Sequence, residues 1–158
     1  MIRIQVSILN LLFAALLAAV AFPAVAVPAF AAKDETLDQL IARAESARAP
    51  DRPALYIEIA RQKAEAVDQL YIDGNAEAAN AGLREVVDYS RKATNASIDT
   101  GKRLKNTEIA LRKMAEKFHD IKRTVAFDDQ APIQQSIDEL EKMRTELLAA
   151  MFGRKGNK

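Results

Sequence analysis

No cysteine and no tryptophan occur in this chain, and histidine occurs once, at His119. The missing cysteine excludes disulfide scaffolds, thiolate metal sites, cysteine nucleophiles, c-type haem attachment and lipoprotein acylation. Five glycines and five prolines in 158 residues are few for a β-sandwich or barrel, which needs a turn about every 8 to 12 residues. An excess of one charge is missing too. Beyond Arg3, 22 Lys and Arg face 22 Asp and Glu, which removes any global attraction to nucleic acid or to an anionic membrane surface. What is plentiful is Ala, Leu, Glu, Lys, Arg and Gln, all good helix formers. The expected fold class is all-α.

The N-terminal segment is the most distinctive. Residues 1–32 hold no acid and one base, an apolar run from Leu11 to Phe22, then Pro23 and Pro28, and Ala29-Phe30-Ala31 just before Lys33-Asp34-Glu35. This is the layout of a Sec signal peptide, with small residues placed for cleavage after Ala31 and a second candidate site after Ala26. The alternative is an uncleaved anchor, because Leu11 to Ala32 would reach about 33 Å as a helix. The two prolines and the Ala-x-Ala pattern favour cleavage. Residues 1–31 are therefore read as a signal peptide, and residues 32–158 as one helical domain, periplasmic or extracellular, that touches a membrane only if the signal segment is retained. A domain of this length can bury a core without staples.

Periodicity then marks the helices. Thr36-Leu37-Asp38-Gln39 fits a capping box, and Leu37, Leu40, Ile41 and Ala44 follow on one face. Asp51-Arg52-Pro53 restarts the chain after Pro50, and an apolar stripe through Leu55, Ile59, Val67 and Leu70 runs to Gly74, a natural helix stop. From Leu83 a seven-residue seam continues through Ser90, Ser97, Leu104, Leu111 and Phe118 to Val125. Its companions Val86, Ala93, Thr100, Thr107, Met114 and Ile121 lie three residues on. A seam held in phase predicts one helix over 76–124, about 73 Å long. Asp128 to Pro132 ends it, and Ile133, Ile137, Leu140, Met143, Leu147 and Met151 form the stripe of a last helix before a short basic tail, Arg154, Lys155 and Lys158. The expected architecture is two antiparallel helical hairpins sharing one long central helix. If the chain instead turns at Thr100-Gly101, segments 52–73, 76–99, 102–124 and 132–152 close into a compact four-helix bundle.

The stretch from about Ala60 to Ala93 resembles a tetratricopeptide-repeat unit: Gly74 sits at the turn, Ala79 follows five residues later, and Leu83 and Val86 keep the family's spacing. The resemblance implies hairpin geometry and a role in protein interaction. Arg91 stands where that family's terminating proline is usual, Val67 occupies a position normally small, and no second copy follows at a period near 34 residues.

Candidates for chemistry are few. His119-Asp120 is not a charge-relay pair, because adjacent helical side chains do not face each other; His119 is read as an exposed group near a helix end. Glu116 and His119 have Glu-x-x-His spacing once, whereas a di-iron bundle needs two copies. A haem could take His119 with Met114, Met143 or Met151, but those methionines fall on apolar stripes and read as core filler. Glu58, Arg61 and Glu65 are spaced for ion pairs within one helix. No Gly-rich phosphate loop or Gly-x-Ser-x-Gly elbow occurs. Residues 102–124 carry eight bases and three acids, and residues 128–152 carry six acids and two bases; two such helices side by side are expected to neutralise each other. The reading is an exported, non-catalytic helical interaction or scaffold module with a protein partner and with no catalytic, cofactor or metal site. The first alternative is a periplasmic holdase chaperone, which six aromatics after residue 31 (Tyr56, Tyr71, Tyr89, Phe118, Phe127 and Phe152) scarcely equip. A ligand-carrying four-helix bundle is the other.

Overall fold

Helix formation begins where the sequence supplies a cap. In the computed structural model, which describes residues 35–153, Thr36 Oγ1 accepts from the Gln39 amide at 3.3 Å and Gln39 Oε1 accepts from the Thr36 amide at 3.1 Å. This capping box opens α1, Leu37–Ser46. The proposed signal peptide, residues 1–31, and the basic tail, residues 154–158, lie outside the described residues.

Four longer helices follow: α2 (Arg52–Ile72), α3 (Ala76–Thr100), α4 (Leu104–Thr124) and α5 (Gln130–Gly153), the last entered through a 3-10 turn at Phe127–Asp129. The described chain is all-α, as expected. Pro53 lies in the first turn of α2, but Asp51 at its cap makes no side-chain bond to the helix. Gly74 adopts φ +75°, the left-handed region that only glycine enters freely. Asn75 then caps α3 by accepting from the Ala78 amide at 3.2 Å.

The single helix expected over 76–124 is two helices. Gly101 (φ 66°) and Arg103 (φ 60°) both take left-handed backbone conformations, which ends α3 and re-aims the chain before α4. Thr100 assists, its hydroxyl donating to the Ala96 carbonyl at 2.6 Å and accepting from the Lys102 amide at 3.3 Å. Beyond the turn, Ser97 and Thr107 face each other, hydroxyl to hydroxyl, at 2.8 Å. In one continuous helix those residues would stand about 15 Å apart. The seam keeps its phase because both helices bury it: Leu83, Val86, Ala93, Leu111, Met114, Phe118 and Ile121 are all buried. Sequence phase reported a common core, and the seam's weak middle was the turn.

Cross-helix contacts give the arrangement. Lys63 reaches Glu85 and Tyr71 reaches Asn80, so α2 and α3 run antiparallel. Arg144 reaches Glu108 and Lys122 reaches Gln134, so α4 and α5 do the same. Arg91 of α3 clamps Glu139 and Glu146, one heptad apart on α5, at 2.9 and 2.8 Å. Arg91 thus holds the second hairpin against the first, at the position where the tetratricopeptide pattern has a proline. Lys117 of α4 meets Glu65 and Asp68 of α2 at 2.6 and 2.9 Å. One core joins all four helices, with Val67, Leu83, Phe118, Ile137, Leu140 and Met143 among its buried side chains. The hairpins close on each other as the compact alternative requires, and they do not extend along a shared spine.

Helix α1 lies across the α2–α3 hairpin, burying Leu40 and Ala44 against Tyr56, Ile59 and Ala93. Lys92 sits 4.9 Å from the ring centre of Tyr89 and 5.5 Å from that of Tyr56, and bonds Glu45 of α1 at 3.2 Å. That bond to Glu45 raises the Lys92 ammonium above its ordinary range. Helices α2 and α3 approach closely at Gly82, where an added Cβ would fall 2.7 Å from Val67 Cγ2. The large residue at 67, unusual for a tetratricopeptide unit, is accommodated by the glycine opposite.

Candidate functional site

The α2–α3 and α4–α5 turns come together at one end of the bundle, and the side chains there depart from the pattern of the rest of the surface. Ile72 ends α2 just before the Gly74 turn and is 72% exposed; Phe127 opens the 3-10 turn and is 85% exposed. Neither belongs to an apolar stripe. Between the two turns lies a cleft of about 370 Å³, walled by Tyr71, Ile72, Ala76, Ile121 and Val125 with Asp129 at its side. The size is at the low end of ligand pockets.

Electrostatics at the cleft are acidic. Tyr71 donates to Asn80 Oδ1 at 2.7 Å, and burial, reinforced by the negative charge of Asp129, pushes its phenol up to about 12. Asp68 is paired with Lys117, and Asp73 accepts from Gln69 at 2.9 Å. Among the described residues no cation lies within ion-pair distance of Asp129 or Asp128. The cleft therefore presents apolar walls beside one unpaired carboxylate, Asp129. It can hold an apolar side chain with a cation next to it.

The sequence candidates lie elsewhere. His119 is exposed on α4 in a shallow hollow with Glu116, Asp120 and Arg123. Asp120 bonds Arg123 at 2.9 Å, and Glu116 pairs with Arg112 at 3.4 Å. Met114 and Met143 are buried in the core, so the structure does not bring them to His119. Among the described residues no cluster of three His, Asp or Glu side chains could hold a metal ion. Glu58 and Arg61 form an i, i+3 pair at 3.7 Å, whereas Glu65 is engaged by Lys117.

Charge compensation between α4 and α5 differs from the expectation. The cations of α4 turn to α2 (Lys117), to their own helix (Arg112, Arg123) or to the Gln134 amide (Lys122). The guanidinium contact between the two helices runs the other way, from Arg144 on α5 to Glu108 on α4 at 2.9 Å. The face that α4 turns to α5 is its apolar one, so of its lysines only Lys122 reaches across, and it meets an amide oxygen rather than a carboxylate. Lys102, Arg103, Lys105 and Lys113 are exposed, with no carboxylate in ion-pair distance among the described residues.

No family model matches this chain, and neither a curated protein nor a solved structure matches it. Among the described residues no helix is long and apolar enough to cross a membrane.

The Ile72–Phe127 end was not singled out from the sequence. Its signal was there in weak form: each apolar residue borders or opens a turn, next to Asp73-Gly74 or Asp128-Asp129, where a stripe analysis discards it.

Proposed function

We propose that this protein is an exported, non-catalytic helical module that binds another protein through the turn end of its bundle. The observation that carries the reading is Ile72, exposed on the wall of the turn-end cleft, with Phe127 exposed on the neighbouring α4–α5 turn, whereas the other large apolar side chains of the described residues are mostly covered. Exposed apolar groups gathered round a concave, polar-rimmed surface mark interaction sites. Export rests on the layout of residues 1–31. The resemblance of the α2–α3 hairpin to a tetratricopeptide unit points the same way.

The test is a photo-crosslinking residue at position 127, with position 113, exposed in the middle of α4, as a control, in an exporting bacterium. A discrete adduct at 127 and none at 113 supports the reading. A continuous smear of adducts at both positions marks a holdase, and no adduct at either removes the interaction role. N-terminal sequencing of the same material should begin at Ala32; an intact N-terminus in the membrane fraction would refute the cleaved form.

A further inference from the structure

Charge on the described residues divides along the bundle axis. Residues 68–77 and 124–131, at the end formed by the α2–α3 and α4–α5 turns, hold five acids and no base. The other end is formed by the α1–α2 turn, the α3–α4 turn and the last turns of α5, because α2 runs antiparallel to α3 and α5 to α4. Residues 47–53 and 98–105 there hold five bases, Arg48, Arg52, Lys102, Arg103 and Lys105, against two acids, Asp51 and Asp99. Arg48 is engaged by Asp51 at 3.7 Å. The other four bases are exposed, with no carboxylate in ion-pair distance among the described residues. Exposed apolar side chains stand at the same end: Leu148 is 37% exposed and Phe152 65%. Arg144 of α5 reaches Glu108 of α4. Steps of four residues along α5 then put Leu148 and Phe152 on its α4 side, level with Lys105 and the Lys102-Arg103 turn.

We infer that this end docks on an anionic phospholipid bilayer, with Phe152 and Leu148 entering the headgroup boundary and Arg52, Lys102, Arg103 and Lys105 meeting lipid phosphates. Charge complementarity chooses the occupant: bases without a protein partner gather beside exposed apolar side chains at one end of the bundle, the combination that binds a negative bilayer surface. The same surface repels the acidic end, so docking leaves Ile72 and Phe127 turned to solvent. Beyond Arg3 the net charge is zero, yet the two signs sit at opposite ends and the chain presents a basic face all the same. Composition alone, which left a retained signal segment as the one route to a membrane, does not register that segregation. The docking end stands apart from the protein-binding end, so each can fail without the other.

Co-sedimentation of the protein purified from an exporting host with vesicles of phosphatidylglycerol and phosphatidylcholine in equal parts, at low and high salt, tests this directly. The wild type should pellet with these vesicles at low salt, leave them at high salt and ignore vesicles of phosphatidylcholine alone. Lys102→Gln, Arg103→Asn and Lys105→Gln together should weaken binding about a hundredfold, or roughly fivefold per charge; Asn suits the left-handed backbone at 103. Phe152→Ser should weaken it about tenfold, and Phe127→Ser, at the acidic end, should leave it unchanged. All these positions are exposed, and wild-type helical dichroism in each variant shows that the fold is kept. The chain has no cysteine, so a dye on Phe152→Cys reports a single place: its emission should shift to the blue on the anionic vesicles, and that of the same dye on Phe127→Cys should not. A wild type that stays in the supernatant overturns the proposal. Equal binding to the neutral vesicles overturns it too, as the mark of a retained apolar segment, and so does full binding by the triple variant, which would assign the contact to Arg154, Lys155 and Lys158. A wild type that ignores the vesicles and binds polyglutamate overturns it in favour of an acidic polypeptide.

Discussion

Gly82 of α3 and Val67 of α2 are fitted to one another: a Cβ on the glycine would come within 2.7 Å of the valine Cγ2. Gly82→Ala gains up to about 1 kcal/mol in helix propensity. It also forces a β-branched, buried neighbour with little rotamer freedom to move, at a cost of about 1–3 kcal/mol. The net result should be a loss of about 1 kcal/mol. Val67→Ala alone should cost about 2 kcal/mol by leaving a void. Denaturant melts of the two singles and the double should show coupling, the double being more stable than the sum of the losses implies; strict additivity would mean that the helices do not touch there.

The α3–α4 turn gives two changes of opposite sign. Gly101→Ala places a Cβ in the left-handed region and should destabilise by about 1 kcal/mol. Arg103→Gly removes the same strain from a residue that bears it now, offset by the greater freedom of glycine in the unfolded chain, for a net gain of about 0.5 kcal/mol. Thermal melts that move in the same direction for both variants would contradict the observed backbone.

Ser90 and Thr94 are fully buried on α3, and among the described residues their hydroxyls meet no hydrogen-bonding group. A buried hydroxyl without a partner costs about 1–3 kcal/mol. Ser90→Ala and Thr94→Val remove it at nearly constant volume, so each should stabilise by about 1 kcal/mol in urea titrations. A loss of stability in both would reveal a bond that these hydroxyls make in solution.

Tyr71 sets an alkaline limit. Its folded pKa of about 12 stands above the ordinary value of 10.0, so the unfolded chain releases this proton first. The contribution to stability is complete below pH 10 and is lost as pH rises from there toward 12. Ultraviolet titration of tyrosinate should show one component near 12 that disappears in Tyr71→Phe. Asp129→Asn should bring that component down, because it removes the second cause of the shift; an unchanged titration in Tyr71→Phe would sink the assignment.

The helices could be read from the sequence because each carries its own stripe and, at Thr36, Gly74 and Asn75, its own punctuation. Two properties could not. The seam across Gly101 kept heptad phase although the chain turns there, since phase records which side chains share a core and is blind to whether one helix or two deliver them. Partner choice among charges was equally hidden: Arg91, Lys117 and Arg144 select carboxylates 36 to 55 positions away, and composition by segment cannot order such pairings. The turn-end cleft escaped for a related reason, as Ile72 and Val125 are 53 residues apart and line one cleft only when the hairpins stack.

The preserved phase across Gly101–Arg103 has a consequence for how the molecule can fail. A sequence that satisfies the same apolar positions with the turn closed or straightened has a second way to be folded: α3 and α4 extend into one rod, and the α4–α5 hairpin covers the α2–α3 hairpin of a neighbour. The contacts exchanged are identical, so the two states differ chiefly in the backbone preference of three residues and in protein concentration. Gly101 is then a stop that keeps each chain's second half at home, and substitutions there are to be judged by the appearance of exchanged dimers as much as by any loss of melting temperature.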